Sequence, residues 1–195
     1  NDKCEEGVTT IADDAHGVGA FGKTGRGTEE YTGAKVDILI GTLGKAYGVN
    51  GGYVVASKTV LDYLRETAPM YIYSNTITCS EAAATLKVLE ILDSEVGVKR
   101  LAHLAAMTKK FEDGLTSLGF ETIEGPHPVV PLMVRDTAET TKLVNYLTEN
   151  GVLGTGLNFP VVPKGDEEIR FQVNADHTEA DINKVLEILK KYKDQ

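Results

Sequence analysis

The chain lacks any apolar run near the ~18 residues that a membrane-spanning helix needs, which excludes such a span. It is also short of positive charge: 20 Lys and Arg stand against 29 Asp and Glu, for a net charge of −9. That balance argues against a nucleic-acid surface, which needs clustered cations to meet phosphates. Cysteine is scarce. The two present, Cys4 and Cys79, cannot build a disulfide framework, and with no histidine beside either one neither reads as a zinc ligand. No metal site is expected. Nothing at the start has the pattern of a signal peptide, and there is no internal repeat, low-complexity tract or long charge run. These absences predict a reducing, cytoplasmic setting with neither a membrane nor a nucleic acid as partner. What remains is an ordinary globular balance, 42% hydrophobic and 25% charged over 195 residues, enough for one large domain or two small ones. Soon after Asn1 the chain already reaches a dense run of Asp, His and Gly, so we expect it to be the later part of a longer protein.

Hydrophobic periodicity predicts alternating strands and helices. Strands are expected at Val8–Ala12, Asp37–Gly41, Gly52–Ala56, Phe120–Ile123, Val129–Val134 and Ile169–Val173. Helices are expected at Thr59–Thr67 behind Ser57, Ser80–Leu92, Val98–Leu118 with Gly119 as its stop, Ala138–Asn150, and Glu179–Tyr192 behind the N-cap Thr178. This pattern is that of an α/β protein. A hinge over Asp93–Gly97 suggests a cut near residue 95, giving a Gly-rich, ligand-bearing part at 1–95 and a small α+β part at 96–195.

Two nucleotide patterns coincide in one loop. Gly17 to Thr24 satisfies G-x-x-x-x-G-K-S/T, and Gly17 to Gly22 satisfies G-x-G-x-x-G. Each needs a helix directly after the loop to hold phosphates at its N-terminus. The segment Gly25–Gly33 instead carries three glycines and no helical periodicity, and Asp13 and Asp14 add repulsion. A phosphate-loop nucleotide-binding protein is therefore the runner-up of another class, and a folded oligomerising module a third reading.

A second constellation carries more chemistry. Asp13-Asp14-Ala15-His16 leaves one strand end and Thr42-Leu43-Gly44-Lys45 leaves the next. Side chains at the carboxyl ends of neighbouring strands converge where α/β sheets bind ligands. A carboxylate, an imidazole, a hydroxyl and a lysine flanked by Gly41, Gly44, Ala46 and Gly48 match the needs of pyridoxal phosphate: a lysine for its aldehyde, an acid for its ring nitrogen, and hydroxyls and N–H groups for its phosphate. Taken singly, each residue reads equally as a surface, turn-forming or capping group.

DDAHGVGAFGKTGRGT, then DILIGTLGKAYGVNGGYVVA, then YIYSNT, resemble the α-oxoamine synthases, pyridoxal-phosphate acyltransferases with the aspartate-aminotransferase fold (fold type I). The resemblance covers nearly the whole chain. It implies that residues 1–95 close the large cofactor domain and residues 96–195 form the small C-terminal domain. It implies a Schiff base between pyridoxal 5'-phosphate and Lys45, with Lys45 also moving the substrate α-proton. Asp13 would pair with the pyridine nitrogen, His16 would lie by the phenolic oxygen, and Thr42 would bind the phosphate. Ser74 would reach the phosphate from a partner subunit, making the enzyme a homodimer with a shared site. Arg170 would clamp the substrate carboxylate; a structural ion pair is the competing reading of that arginine. His177 reads either as a family position or as a structural group beside Thr178. The stretch FPVVPKGDEEIRFQVNADHT is most similar to the branch that joins glycine to acetyl-CoA, and sister enzymes making 8-amino-7-oxononanoate share the core motifs. The isolated chain is expected to be inactive or nearly so.

Overall fold

The computed structural model describes residues 7–194, and Cys4 lies outside them. The chain divides into two compact units, the first running to Leu101 and the second starting at Ala102.

The first unit is built on a three-stranded sheet of β1 (Ile11–Asp13), β2 (Ile38–Thr42) and β3 (Gly52–Val55), in the order β1-β2-β3. β1 and β2 are parallel, with Asp13 opposite Ile40; β2 and β3 are antiparallel, with Thr42 opposite Gly52. Because side chains alternate along a strand, Asp13, Ile40 and Thr42 share one face, while Gly41 and Tyr53 share the other. On that second face the Tyr53 ring lies across Gly41, where a Cβ would meet Cζ at 2.3 Å. Short α1 (Thr28–Thr32) follows the glycine loop. Next come α2 (Lys58–Thr67), capped by Ser57, α3 (Pro69–Tyr73), and α4 (Cys79–Leu92), which opens on a reciprocal Thr78–Glu81 capping box. Large apolar side chains stand exposed here, among them Met70 at 81% and Tyr73 at 87%.

The division between units falls within α5 (Glu95–Ser117). The expected hinge over 93–97 shrinks to Asp93 and Ser94, because Ser94 Oγ accepts the Val96 N–H at 3.2 Å and so starts the new helix at once. Gly119 stops it with φ 73° as the Phe120 N–H returns to the Leu115 carbonyl.

In the second unit β4 (Glu121–Thr122), β5 (Val129–Met133), β6 (Thr155–Leu157) and β7 (Glu168–Gln172) form an antiparallel sheet in the order β4-β5-β7-β6. Val130 pairs with Phe171 and Leu132 with Ile169, giving a buried face. Leu104, Met107, Phe111 and Leu115 of α5 join it in the core, together with Leu143 and Leu147 of α6 (Thr137–Glu149) and Ile182 and Leu189 of α7 (Glu179–Lys193). Phe111 meets Phe171 edge to face at 5.1 Å. β6, unforeseen from the sequence, is admitted by its glycine: a Cβ at Gly156 would press on Val144 and Thr140 of α6.

Among the described residues two carboxylates are buried in this unit: Glu167, held ionised by the Thr137 O–H at 2.9 Å and the Gly165 N–H at 2.8 Å, and Glu112. Glu112 on α5 is 9% exposed and accepts the Gly125 N–H at 3.3 Å. Burial, aided by the Glu124 and Asp113 charges and opposed by that hydrogen bond and Lys109, holds its pKa above the ordinary 4.5. The folded state therefore binds this proton more tightly than the unfolded chain, and stability falls as pH rises from about 4.5 through the raised value. Glu112→Gln keeps an acceptor for Gly125 and removes the buried charge. We expect it to raise the melting temperature at pH 7, with the gain vanishing below about pH 4.5; a variant no more stable at pH 7 would refute this.

Candidate active site

Asp13 and Thr42 leave the same end of parallel β1 and β2 on the same face, about 8 Å apart from strand spacing and rise. Asp13 Oδ1 accepts the Ala15 N–H at 3.0 Å, and the Gly17 N–H returns to the Asp14 carbonyl at 2.9 Å, so His16 sits exposed in a tight turn. Past Thr42 the chain folds into a closed loop. The Leu43 N–H bonds Gly51 O at 2.9 Å, the Val49 N–H bonds Leu43 O at 2.8 Å, and the Gly48 N–H bonds Lys45 O at 3.0 Å. Leu43, Tyr47 and Val49 are driven into a core with Val18, lined by Tyr53, Val88 and Leu92. That burial pins the loop from beneath and leaves Gly44, Lys45 and Ala46 outward. Gly48 adopts φ 63°, which a side chain would resist. Thr42 Oγ1 accepts the Gly44 N–H at 3.1 Å and donates to Gly51 O at 3.3 Å. Among the described residues Lys45 has no hydrogen-bond or ion-pair partner.

The second aspartate goes the other way. Asp14 points to the face of Gly41 and Tyr53, is 6% exposed, and accepts the Thr28 N–H at 2.8 Å and O–H at 2.6 Å. Sequence reasoning gave it no separate role. The signal was the strand alternation itself, which sends adjacent carboxylates to opposite faces. Tyr47 and Tyr53 complete this interior, and burial pushes both phenols above their usual range.

The structure corrects the phosphate-loop reading. The N–H groups that such a loop would offer to an anion are spent inside the chain: those of Gly19, Ala20 and Phe21 go to backbone carbonyls, and that of Thr24, with Arg26 just beyond, goes to Glu30. Its carboxylate accepts from Thr24 N at 3.0 Å, Thr24 Oγ1 at 2.7 Å and Arg26 N at 3.1 Å. The helix that follows is only the five residues of α1, starting after Gly27 with no side-chain cap.

Ser74 lies exposed just after α3, and none of its hydrogen bonds among the described residues reaches Asp13, His16, Thr42 or Lys45. Arg170 belongs to the second unit. It pairs with Pro131 and Thr155 across the sheet, so it projects from the face opposite the buried Ile169 and Phe171. The Glu168 carboxylate is 3.7 Å away and the guanidinium side chain remains 44% exposed. A loose, half-solvated contact of this kind contributes little and leaves donors for another carboxylate. Arg170 lines a groove of about 730 Å³ with Gln172, Asn174, Asp181 and Lys184. His177 lines the same groove, its ring bonded to Asn174 and its carbonyl to His103 Nε2 at 2.8 Å. Among the described residues no cluster of His, Cys, Asp and Glu could hold a metal ion, and no helix is long and apolar enough to cross a membrane.

The residues present fit pyridoxal phosphate: an unpartnered amine on a rigid, glycine-flanked turn stands at the same sheet end as a carboxylate with one oxygen uncommitted to the backbone. Comparison with known proteins agrees. The family described as aminotransferase class I and II matches residues 2–189. The 8-amino-7-oxononanoate synthase of Geotalea daltonii is 38% identical over 186 residues, 94% of this chain and 47% of that protein. The 2-amino-3-ketobutyrate coenzyme A ligase of Escherichia coli is 38% identical over 180 residues, 91% of this chain and 45% of that protein. A high-resolution structure of SPT with PLP superimposes with a TM-score of 0.86 at 26% identity, covering 95% of this chain and 47% of that one. The 8-amino-7-oxononanoate synthase of Francisella tularensis gives 0.82 at 25%, covering 94% and 54%. The chain thus spans about half the length of the curated relatives it matches, and the cofactor of its kind is pyridoxal phosphate. It belongs to the aminotransferase class I and II family.

Proposed function

We propose that this chain is the Lys45-bearing part of a glycine C-acetyltransferase, 2-amino-3-ketobutyrate CoA ligase, which joins glycine to acetyl-CoA with release of CoA and, in reverse, serves threonine breakdown. The observation that carries the reading is the unpartnered Lys45 held at the same sheet end as Asp13 and Thr42. When bound, pyridoxal phosphate supplies an electron sink for the charge left when an amino acid loses its α-proton. The chain's residues do the rest. Lys45 holds the cofactor covalently and then carries that proton. The Asp13 carboxylate would keep the ring nitrogen protonated, His16 would orient the phenolic oxygen, and Thr42 would turn its O–H from Gly51 O to the phosphate. Arg170 takes the glycine carboxylate through paired N–H donors, the geometry to which a guanidinium is suited. Ser74 adds a phosphate donor across a homodimer. The exposed Met70, Tyr71 and Tyr73 just before it support that placement, since apolar side chains clustered on a surface mark a contact face.

The same level of identity to 8-amino-7-oxononanoate synthase favours a second reading within the family. Its nine-carbon product needs a longer acyl donor than an acetyl group. Measuring CoA thiol release by the intact enzyme that carries these residues, with acyl-CoA donors of rising chain length offered with glycine and, because the second product ends in the CH3–CH(NH2) fragment of alanine, also with alanine, separates the two. Acetyl-CoA is expected to give the highest kcat/KM; a preference for a long donor would replace the proposal with the second reading.

A further inference from the structure

Asp13 and Asp14 are adjacent, yet only the first stands where the proposed chemistry needs a carboxylate. Burying a carboxylate with no cation against it is costly, and among the described residues Asp14 receives no Lys or Arg. Its oxygens there accept from the Thr28 N–H and O–H. An apolar residue would fill a core more cheaply. What the carboxylate does instead is gather the loop. Its backbone N–H continues the β1–β2 ladder to Ile40 O at 2.9 Å, and its carbonyl accepts from Gly17 and Val18 at 2.9 and 3.0 Å. Its side chain meanwhile draws in Thr28, at the far end of the loop. Gly17 and Gly27 close around it so tightly that a Cβ on either would lie 2.1 or 2.0 Å from a carboxylate oxygen. His16 sits inside the turn that these bonds close, and Asp13 is the residue before it.

We propose that Asp14 is a positioning residue, a buried clasp that fixes the backbone from Asp13 to Gly17 and thereby aims both the Asp13 carboxylate and the His16 ring. For the reaction this rests on the pyridoxal-phosphate reading above; for the loop it does not. Thr28 is its counterpart and the chemistry of the clasp is one of shape. An asparagine can reproduce it, with Oδ1 accepting the Thr28 N–H and Nδ2 donating to a Thr28 hydroxyl turned round as acceptor. An alanine cannot.

The test follows the imidazole signals of the four histidines in the chain by NMR without cofactor. In Asp14→Ala the His16 signals move while those of His103, His127 and His177 stay; in Asp14→Asn all four stay near their original positions. Thr28→Val, which keeps the N–H bond and loses the hydroxyl, moves His16 in the same direction by less. This last variant also decides the matter if Asp14→Ala does not fold. In the cofactor-loaded intact enzyme that carries these residues, Asp14→Ala shifts the pH midpoint of the cofactor's visible absorption and lowers kcat/KM at least tenfold, and Asp14→Asn restores both. His16 signals unmoved in Asp14→Ala or Thr28→Val, or an asparagine that behaves as alanine, would overturn the proposal. If the cofactor reading alone were wrong, wild-type Lys45 would take no cofactor while the His16 shifts still appeared.

Discussion

In the intact acyltransferase, Lys45→Ala should lower the rate of CoA release by about 10³-fold or more while leaving the melting temperature of the cofactor-free protein unchanged. The split follows from where the side chain stands. Its amine is exposed and has no partner among the described residues, so its loss breaks no interaction of the cofactor-free fold. The turn beneath is held by Leu43, Tyr47 and Val49 instead. The amine has two duties in the proposed reaction, covalent attachment of the cofactor and transfer of a proton, and a positioned proton carrier alone accounts for about 10²–10⁴-fold. Lys45→Arg sharpens the test. It keeps the charge but stays protonated and forms no bond to an aldehyde, so it should be as inactive as alanine. An arginine variant with appreciable activity would reduce Lys45 to an electrostatic role.

The largest loss of stability is expected from Leu115→Ala. Leu115 is fully buried on α5, in the same core as Phe111, Leu132 and Ile169. Truncation loses the transfer energy of the missing carbons and leaves a cavity that a packed interior fills only in part, together about 2–5 kcal/mol. For a chain of this size that corresponds to a fall in melting temperature of roughly 5–15 °C. Its exposed neighbour Thr116 provides the control, and Thr116→Ala should change little. Equal effects of the two substitutions would contradict the packing described for the second unit.

The features readable in the sequence are those specified locally. The periodic stripes of α5 and α7, the caps at Ser57 and Thr178, the stop at Gly119 and the short apolar strands each depend on residues within a turn or two of one another. The lysine turn was readable because glycines bracket Lys45 at a strand end. The features hidden in the sequence depend on distant partners. β6 reads as loop because Gly154 and Gly156 break a strand pattern, yet those glycines exist to let α6 and the β7 side chains approach. Glu30, eight residues past Gly22, fills the anion nest that the motif seemed to promise, and no short pattern announces it. Asp14 and Asp13 look interchangeable in a string of letters and differ only once strand alternation assigns them faces.

Lys45 as the residue that takes the cofactor is tested directly by incubating the protein with pyridoxal phosphate, reducing with borohydride, and mapping the pyridoxyl group by peptide mass. The label is expected to concentrate on Lys45 over the fourteen other lysines and to be lost in Lys45→Ala. A label spread over the exposed lysines, with Lys45 no more modified than the rest, would contradict it.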